Sequence, residues 1–529
     1  MCGILAMIDR HGSRNSIVNF KKGLFMLEKR GPDTTKINNV GCVNLGFTRL
    51  AIMDTSSNGQ QPMELNNVWL VCNGEIYNWQ ELAHTYKFNM RSSCDCEVIL
   101  WMYNHLGIEE TLYRLDGVFS FVLYDTNTEQ VFIARDPYGV RPLYWGFGNL
   151  NFYAFGSEVK SLIDLDSFMN IYHFPPGCYM CYKNNDVRTI KYHDRDYMYR
   201  NCCYDNVHEI LINLKYLLTE AVRKRMQADR PIGCLVSGGL DSSLVAAIAN
   251  TYLPRGTLMT FSIGFTEGST DLEYADKVAE HLGTKHYKFS VSYKDFLKAV
   301  DEVIRVIESY DITTVRASVG NYLVCKYARA NTKCKVILNG DGSEEIFGSY
   351  KYLSKAPNAR LFFNENCKLL REIYMFDVLR SDRCISGNGL EARTPFLDKT
   401  LVEYVMKIDP ILKMFDENKM EKWLLRKAFE SSNLLPKEVL WRKKEAFSDG
   451  VSVENLSWHT ILQEHFNKLL SDDFYLRHVT KYGKNVPRTK EALYYRMVFD
   501  NHYPNCEDLL SHYWMPNWSD AEDPSARVL

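Results

Sequence analysis

Cys2 follows the initiator Met1 and precedes Gly3. A small residue at the second position permits removal of Met1, which leaves one residue carrying both a thiol and a free α-amine. The reference pKa of an α-amine, about 7.7–8.0, is close to that of a thiol, so the amine can serve as a local base near neutral pH. Only a chain terminus offers nucleophile and base on a single residue. A second chemistry is written at Ser237-Gly238-Gly239-Leu240-Asp241-Ser242-Ser243, which follows the short apolar run 231–236 and opens a helical pattern. Strand, glycine-rich turn and helix N-terminus form an anion cradle, in which backbone N–H groups and the helix dipole face phosphates. Asp241 can hold a magnesium ion there. No lysine follows the glycines, so this is not a P-loop. A further acidic loop, Asn339-Gly340-Asp341-Gly342-Ser343-Glu344-Glu345, follows the strand-like run 336–338. Ligands bind outside the carboxyl ends of parallel strands, so the two loops are expected to converge on one nucleotide.

The elements that must position these residues differ between the halves of the chain. The first half carries short β-like runs, at 43–47, 69–72, 119–124, 130–134 and 151–155, punctuated by Gly, Asn and Asp. That pattern predicts a mostly antiparallel sheet structure, with helices over 17–29 and 97–106. The polar, irregular stretch 182–206 reads as the connection between domains. Beyond it, a helix over 207–227 precedes an alternation of strand (232–236, 258–265, 335–338) and helix (242–253, 271–282) typical of a parallel α/β sheet. The remainder, to about residue 517, reads as largely helical.

Further segments accompany Cys2. Arg49-Leu50-Ala51-Ile52 follows a β-like run, and Asn73-Gly74-Glu75-Ile76-Tyr77-Asn78 follows the apolar strand 69–72. Ser93-Cys94-Asp95-Cys96-Glu97 opens a helix, and Asp136-Pro137-Tyr138-Gly139-Val140-Arg141-Pro142-Leu143-Tyr144 returns a turn to a strand. Together these closely resemble the class II glutamine amidotransferase domain, of the N-terminal-nucleophile type, from Cys2 to about Gly177. The resemblance implies that Cys2 is the nucleophile of a glutamyl thioester and that ammonia is released. Arg49 is implied to pair with the α-carboxylate of glutamine, where a bidentate guanidinium suits a planar carboxylate. The neighbouring Leu50, Ala51, Ile52 and Met53 are implied to line the same substrate. The Asn73 amide and the Gly74 N–H are implied to form an oxyanion hole, and Glu75 and Asp95 to hold the ammonium end.

The loop 237–243 resembles the SGGxDS loop of N-type ATP pyrophosphatases, which cleave ATP between its α and β phosphates. A class II glutaminase joined in this order to such a domain resembles the asparagine synthetase B family, the glutamine-hydrolysing type. The likeness extends to Gly389–Asp398, Arg442–Gly450 and the tail around Trp514–Trp518 and Asp523–Arg527. It implies an Ntn-type α-β-β-α sandwich over 2–185, then a parallel-sheet α/β pyrophosphatase domain with a helical C-terminal part over 208–529. It also implies that Leu235, Ser237, Gly238, Gly239, Asp241, Ser242, Ile263, Asn339 and Gly340 contact ATP or pyrophosphate. Lys444 is implied to stabilise phosphoryl charge, and Asp341 to be the acid important for forming β-aspartyl-AMP. Mg2+ on Asp241 and an enclosed passage for ammonia complete the implied mechanism. The chain departs from the common Gly-Glu-Gly-Ser-Asp-Glu pattern, because Asp341 and Glu344 have exchanged lengths, each by one methylene. ATP-dependent amidation of a different carboxylate shares every motif except acceptor recognition.

Composition sets the outer bounds. At 529 residues, two domains are expected. A formal charge of -2 gives no footprint for nucleic acid, and no apolar run reaches the roughly 18 residues of a membrane span. The first residues turn charged too early for a secretory signal, and the 15 scattered cysteines read as reduced thiols in the cytoplasm. Cys178-x-x-Cys181 with Cys202, Cys203, His193 and His208 offers zinc-type ligands, but the second pair has zero spacing and lacks the C-x-x-C geometry, so ordinary reduced thiols are expected. The expected partners are glutamine, aspartate and ATP, with neither nucleic acid nor membrane, and the family suggests a homodimer.

Overall fold

The computed structural model describes residues 1–9, 14–148, 152–166, 169–194, 204–266, 268–444, 457–519 and 523–524. Two compact units emerge. The first comprises Met1–Asp194 together with Gln227–Arg230 and Ser386–Glu391, and the second holds the rest.

The first unit is built on two six-stranded sheets. One runs in the order Asn170–His173, Tyr144–Phe147, Tyr153–Gly156, Gly3–Ile8, Val43–Arg49, Thr34–Val40. The other runs Asp186–Lys191, Cys178–Lys183, Gln130–Arg135, Gly117–Asp125, Val68–Ile76, Met63–Leu65. A buried apolar cluster that includes Ile4, Phe47, Val71, Val122 and Ile133 joins the facing sides of the sheets. On the outer side of the second sheet, helix Glu97–Arg114 packs through Val98, Leu100 and Met102 onto Leu70, Phe121 and Leu123. Helix Arg14–Phe25 lies against Gly3–Ile8. Alternate residues of a strand face opposite sides, so each central strand feeds both layers.

Gly3–Ile8 was absent from the sequence-based strands because it reads as a uniform apolar run; it is buried on both faces, which removes the alternation. The predicted connection 182–206 begins instead with a hairpin, Cys178–Lys183 to Asp186–Lys191, turned by Asn184 and Asn185 at φ 51° and 65°. Two consecutive asparagines at positive φ suit a two-residue hairpin turn. The strand places Cys178 and Cys181 on opposite faces of the sheet, where each packs into a different cluster. Cys202 and Cys203 lie outside the described residues, as does Asn151, the first residue of the predicted strand 151–155.

The second unit holds a five-stranded sheet in the order Lys285–Val291, Met259–Phe265, Ile232–Leu235, Val336–Leu338, Glu391–Arg393. The first four strands are parallel neighbours. After Ile232–Leu235 the chain adds strands to one side, then returns to place Val336–Leu338 on the other. Strand order therefore reverses between these two strands, and a crevice opens at their carboxyl ends. Lys285–Val291 was missed in sequence because it is an edge strand with two lysines, a histidine and a serine among its seven residues.

Candidate active sites

The site in the first unit lies at the ends of Gly3–Ile8, Val43–Arg49 and Val68–Ile76. The Cys2 thiol donates to the Leu50 carbonyl at 3.7 Å, and its own carbonyl accepts from Nε of the buried Arg30 at 3.0 Å. With Met1 in place, burial pushes the Cys2 thiol up to about 11, against the pull of the terminal ammonium and the Leu50 contact. Met1 itself is buried; its sulfur meets Nη1 of Arg141 at 2.6 Å, and its ammonium lies 3.6 Å from Glu391. Burial lowers the pKa of that ammonium.

Asn73 is fully buried, yet neither its amide nitrogen nor its amide oxygen has a hydrogen-bond partner. No protein group occupies either atom, so both are available to hydrogen-bond a ligand. The preceding residue is pinned by Gln61, whose side chain exchanges two hydrogen bonds with the Cys72 backbone, at 2.6 and 3.2 Å. Gly74 has no room for a side chain: a Cβ there would sit 2.6 Å from the Val118 carbonyl. Arg49 is buried, with its guanidinium on the Ser56 carbonyl at 2.6 Å and on the Asp54 carbonyl. The following turn is fixed through backbone groups, Ala51 N–H to Asp33 at 2.9 Å and the Ile52 carbonyl from the Asp229 N–H at 3.0 Å. Met53 stands half-buried in that turn, and Glu75 is buried in the Asn73 strand. Oδ2 of Asp95 accepts the Ile76 N–H at 2.6 Å, tying the helix entrance to the strand.

In the second unit, the two predicted loops meet. A Cβ on Gly340 would lie 2.8 Å from the Ser242 nitrogen and 2.9 Å from Asp241 Cβ, so the loops touch backbone to backbone. Gly238 has φ +72°, and a Cβ there would fall 2.4 Å from Tyr274 Cβ. Both conditions demand glycine. The Ser237 and Ser242 hydroxyls stand 3.1 Å apart at the mouth of helix Leu240–Asn250, where Gly239 is the N-cap. A cavity of about 320 Å³ opens here. Every predicted nucleotide-site residue apart from Gly238 lines it, including Leu235 and Ile263 from two neighbouring strands, Asp341 and Lys444. The Asn339 side chain points away to Ser381 at 2.6 Å, and its N–H bonds the Arg393 carbonyl.

The electrostatic centre of the cavity is Glu344. Its carboxylate accepts from Lys422 at 2.7 Å, from Lys444 and from the Ser349 hydroxyl. Burial alone would raise its pKa, but Lys422 and Lys444 outweigh that and hold the carboxyl well below its ordinary value. Lys422 also bonds Asp241 at 2.5 Å, and Ser343 donates to the other Asp241 oxygen at 2.9 Å. Opposing its burial, Asp241 and Glu344 raise the Lys422 pKa. Asp341 is not isolated: Arg380 bonds it at 2.8 Å while also holding Asp377 at 3.0 Å and Asn321 at 2.9 Å.

Lys422 and Arg380 were not among the sequence-derived residues, and Glu344 stood out there only for its exchange of length with Asp341. One signal for Lys422 existed. It sits at the N-cap of helix Trp423–Glu430 in a left-handed conformation, φ 56°. A cation at a helix N-terminus opposes the dipole and calls for acidic partners from elsewhere. In the predicted segment 442–450, Arg442 bonds Asp271 at 3.0 Å and stacks on Tyr274, while residues 445–450 lie outside the described residues.

Family models match both units. A glutamine amidotransferase domain matches residues 1–172, and asparagine synthase matches residues 213–372 and 357–522. The chain is 44% identical over 558 aligned residues to the asparagine synthetase [glutamine-hydrolyzing] of Pongo abelii and to that of Homo sapiens, and 43% identical to that of Bos taurus. Each alignment covers all of this chain and 98% of the relative.

Proposed function

The chain belongs to the glutamine-hydrolysing asparagine synthetases, and from that premise we propose how its two sites divide the work. It is a carbon–nitrogen ligase that converts ATP, L-aspartate, L-glutamine and water to AMP, diphosphate, L-asparagine and L-glutamate. Cys2, freed of Met1, attacks the glutamine amide carbon and passes its proton to its own α-amine. Asn73 Nδ2 and the Gly74 N–H take the oxyanion as it forms. The carbonyl-braced Arg49 receives the substrate carboxylate, and Glu75 and Asp95 its ammonium. Leu50, Ala51, Ile52 and Met53 shape the wall beside it. Collapse of the adduct breaks the C–N bond and expels ammonia, which takes the proton held on the α-amine, and water then hydrolyses the glutamyl thioester to glutamate.

In the second unit, the loop 237–242 and Gly340 cradle the phosphates, with Leu235, Ile263 and Asn339 toward the nucleoside. Aspartate attacks the α-phosphate and pyrophosphate leaves. Lys444 and Lys422 neutralise the charge that develops, moving from Glu344 onto phosphate oxygens. Asp341, held by Arg380, acts at the acyl-adenylate before ammonia displaces AMP. The carboxylates of Asp241 and Glu344 fit a magnesium ion, since both are hard oxygen donors that already share one cationic group, Lys422. Bound magnesium supplies neutralisation of the phosphates. The observation that carries this assignment is the meeting of the acidic and glycine-rich loops on one cavity, beside the two lysines that hold Glu344. The family resemblance adds a homodimer working in the cytoplasm on small molecules rather than nucleic acid. The free state of every described cysteine supports that compartment.

The test is product analysis with Mg-ATP, aspartate and amide-labelled glutamine, in parallel with Cys2→Ala. Labelled asparagine with equal AMP and pyrophosphate, lost in the variant and restored by added ammonia, is the expected result. Persistence of glutamine-dependent synthesis in Cys2→Ala removes the nucleophile assignment.

A further inference from the structure

The turn leading into helix Glu97–Arg114 carries two thiols that the reaction does not use, one on either side of Asp95. Cys94, Asp95 and Cys96 are all buried, and both sulfurs and a carboxylate oxygen lie within 4.8 Å of one another. Sγ of Cys94 is 3.9 Å from one Asp95 oxygen, and Sγ of Cys96 is 4.0 Å from the other. Three consecutive residues in a strand would send neighbouring side chains to opposite faces; this turn gathers them on one side. A third thiol borders the group: Cys72, one residue before Asn73, is hydrogen-bonded with Cys96. Cys94 is near enough to Cys2 for its charge to be felt there. A buried structural cysteine ordinarily packs alone as a small apolar group. Two thiols and a carboxylate converging at these distances form the donor set of a borderline-soft divalent ion.

We propose that Cys94, Asp95 and Cys96 bind one thiophilic divalent cation of the zinc class, and that its occupancy switches off glutamine hydrolysis. On binding, each thiol loses a proton to solvent and two sulfur–metal bonds form, while Asp95 contributes its existing charge. Two protons leave for one dication, so the buried charge is unchanged, and the ion enters without stranding an uncompensated charge. The inhibitory half rests on the reading that Asp95 holds the substrate ammonium, because a carboxylate bound to metal no longer offers that charge to glutamine. A second route acts on the oxyanion hole: Sγ of Cys96 contacts the Gly74 carbonyl at 3.6 Å, so capture of Cys96 alters the strand that carries the donor.

The experiment uses the full chain with Met1 removed, titrated with cobalt(II) as a spectroscopic probe and with zinc. Glutamine hydrolysis and ammonia-dependent asparagine synthesis are read in parallel. Expected are a single equivalent of cobalt with thiolate charge-transfer absorption, displacement by zinc, loss of glutaminase that a chelator restores, and an unchanged ammonia-dependent reaction. Cys94→Ser keeps basal glutaminase but loses both the absorption and the inhibition, whereas Cys2→Ala keeps the absorption. Absorption lost in Cys2→Ala and retained in Cys94→Ser would place the ion on the nucleophile and overturn the proposal. Absence of cobalt binding to the wild-type chain overturns it as well. Cobalt bound through Cys94 with glutaminase undiminished overturns the switch. The Asp95 reading is separately checked without metal, since an unchanged KM for glutamine in Asp95→Asn defeats that reading and leaves the cobalt result standing.

Discussion

Asn73→Ala separates the oxyanion role from folding. The Asn73 side chain is buried and no protein group bonds either of its polar atoms. Each such group costs roughly 1–3 kcal/mol of desolvation that no hydrogen bond returns. Alanine deletes both atoms and leaves a small void, whose packing loss is of similar size and opposite sign. Net stability is therefore expected to change by no more than about 1 kcal/mol, which moves Tm by only about 2–4 °C in a domain of this size. Catalysis behaves differently. One oxyanion donor contributes about 2.7–4 kcal/mol in the transition state, and at 1.36 kcal/mol per decade its loss lowers kcat by roughly two to three decades. The assay is glutamate release with kcat and KM resolved, alongside ammonia-dependent asparagine synthesis and a melting curve. The expected pattern is a collapsed kcat, a nearly unchanged KM, an intact ammonia reaction and a flat Tm. A fall in kcat of less than about tenfold would refute the donor assignment. A joint loss of both activities with a lowered Tm would show that the orphaned amide serves the fold instead.

Other outcomes follow from the second unit and the chain start. Gly238→Ala forces a left-handed residue and a contact at 2.4 Å onto Tyr274, so ATP–pyrophosphate exchange is lost while glutaminase persists. Asp341→Glu keeps the charge that pairs with Arg380 and is tolerated, whereas Asp341→Asn is not; equal asparagine synthesis by both removes the acid role. Glu344 has a lowered folded pKa, so its stabilisation is complete above the unfolded value of 4.5 and is lost as pH falls below it. Glu344→Gln is accordingly less stable at pH 7 by roughly 1–3 kcal/mol, and the gap in Tm closes on acidification; a gap independent of pH contradicts the two-lysine bridge. Protein that retains Met1, identified by intact mass, keeps ammonia-dependent synthesis and lacks glutaminase, because desolvation pushes its thiol up to about 11 and its local amine is missing.

Both chemistries were legible in the sequence because their signals are local. A cysteine at position two, a glycine-rich turn between an apolar run and a helix, and Asn-Gly after a strand each fit within a few residues. The physical needs behind them, positive φ at Gly238 and no room for a Cβ at Gly74, act on single positions. Strand and helix types in the pyrophosphatase half were likewise readable from apolar periodicity. What sequence could not give is set by long-range partners. Lys422 reaches Asp241 across 181 residues and Glu344 across 78, and no periodicity links them. Arg380 reveals its purpose only when Asp341 and Asp377 arrive on either side of it. The apolar run Gly3–Ile8, buried on both faces, lost its strand signature because burial had erased the alternation. The convergence of the two nucleotide loops depends on strand order, which reverses between Ile232–Leu235 and Val336–Leu338. Residue types specify what each loop can bind, but only the packing of the sheet brings two loops a hundred residues apart into backbone contact, because that contact is decided by which strands bury their edges against each other.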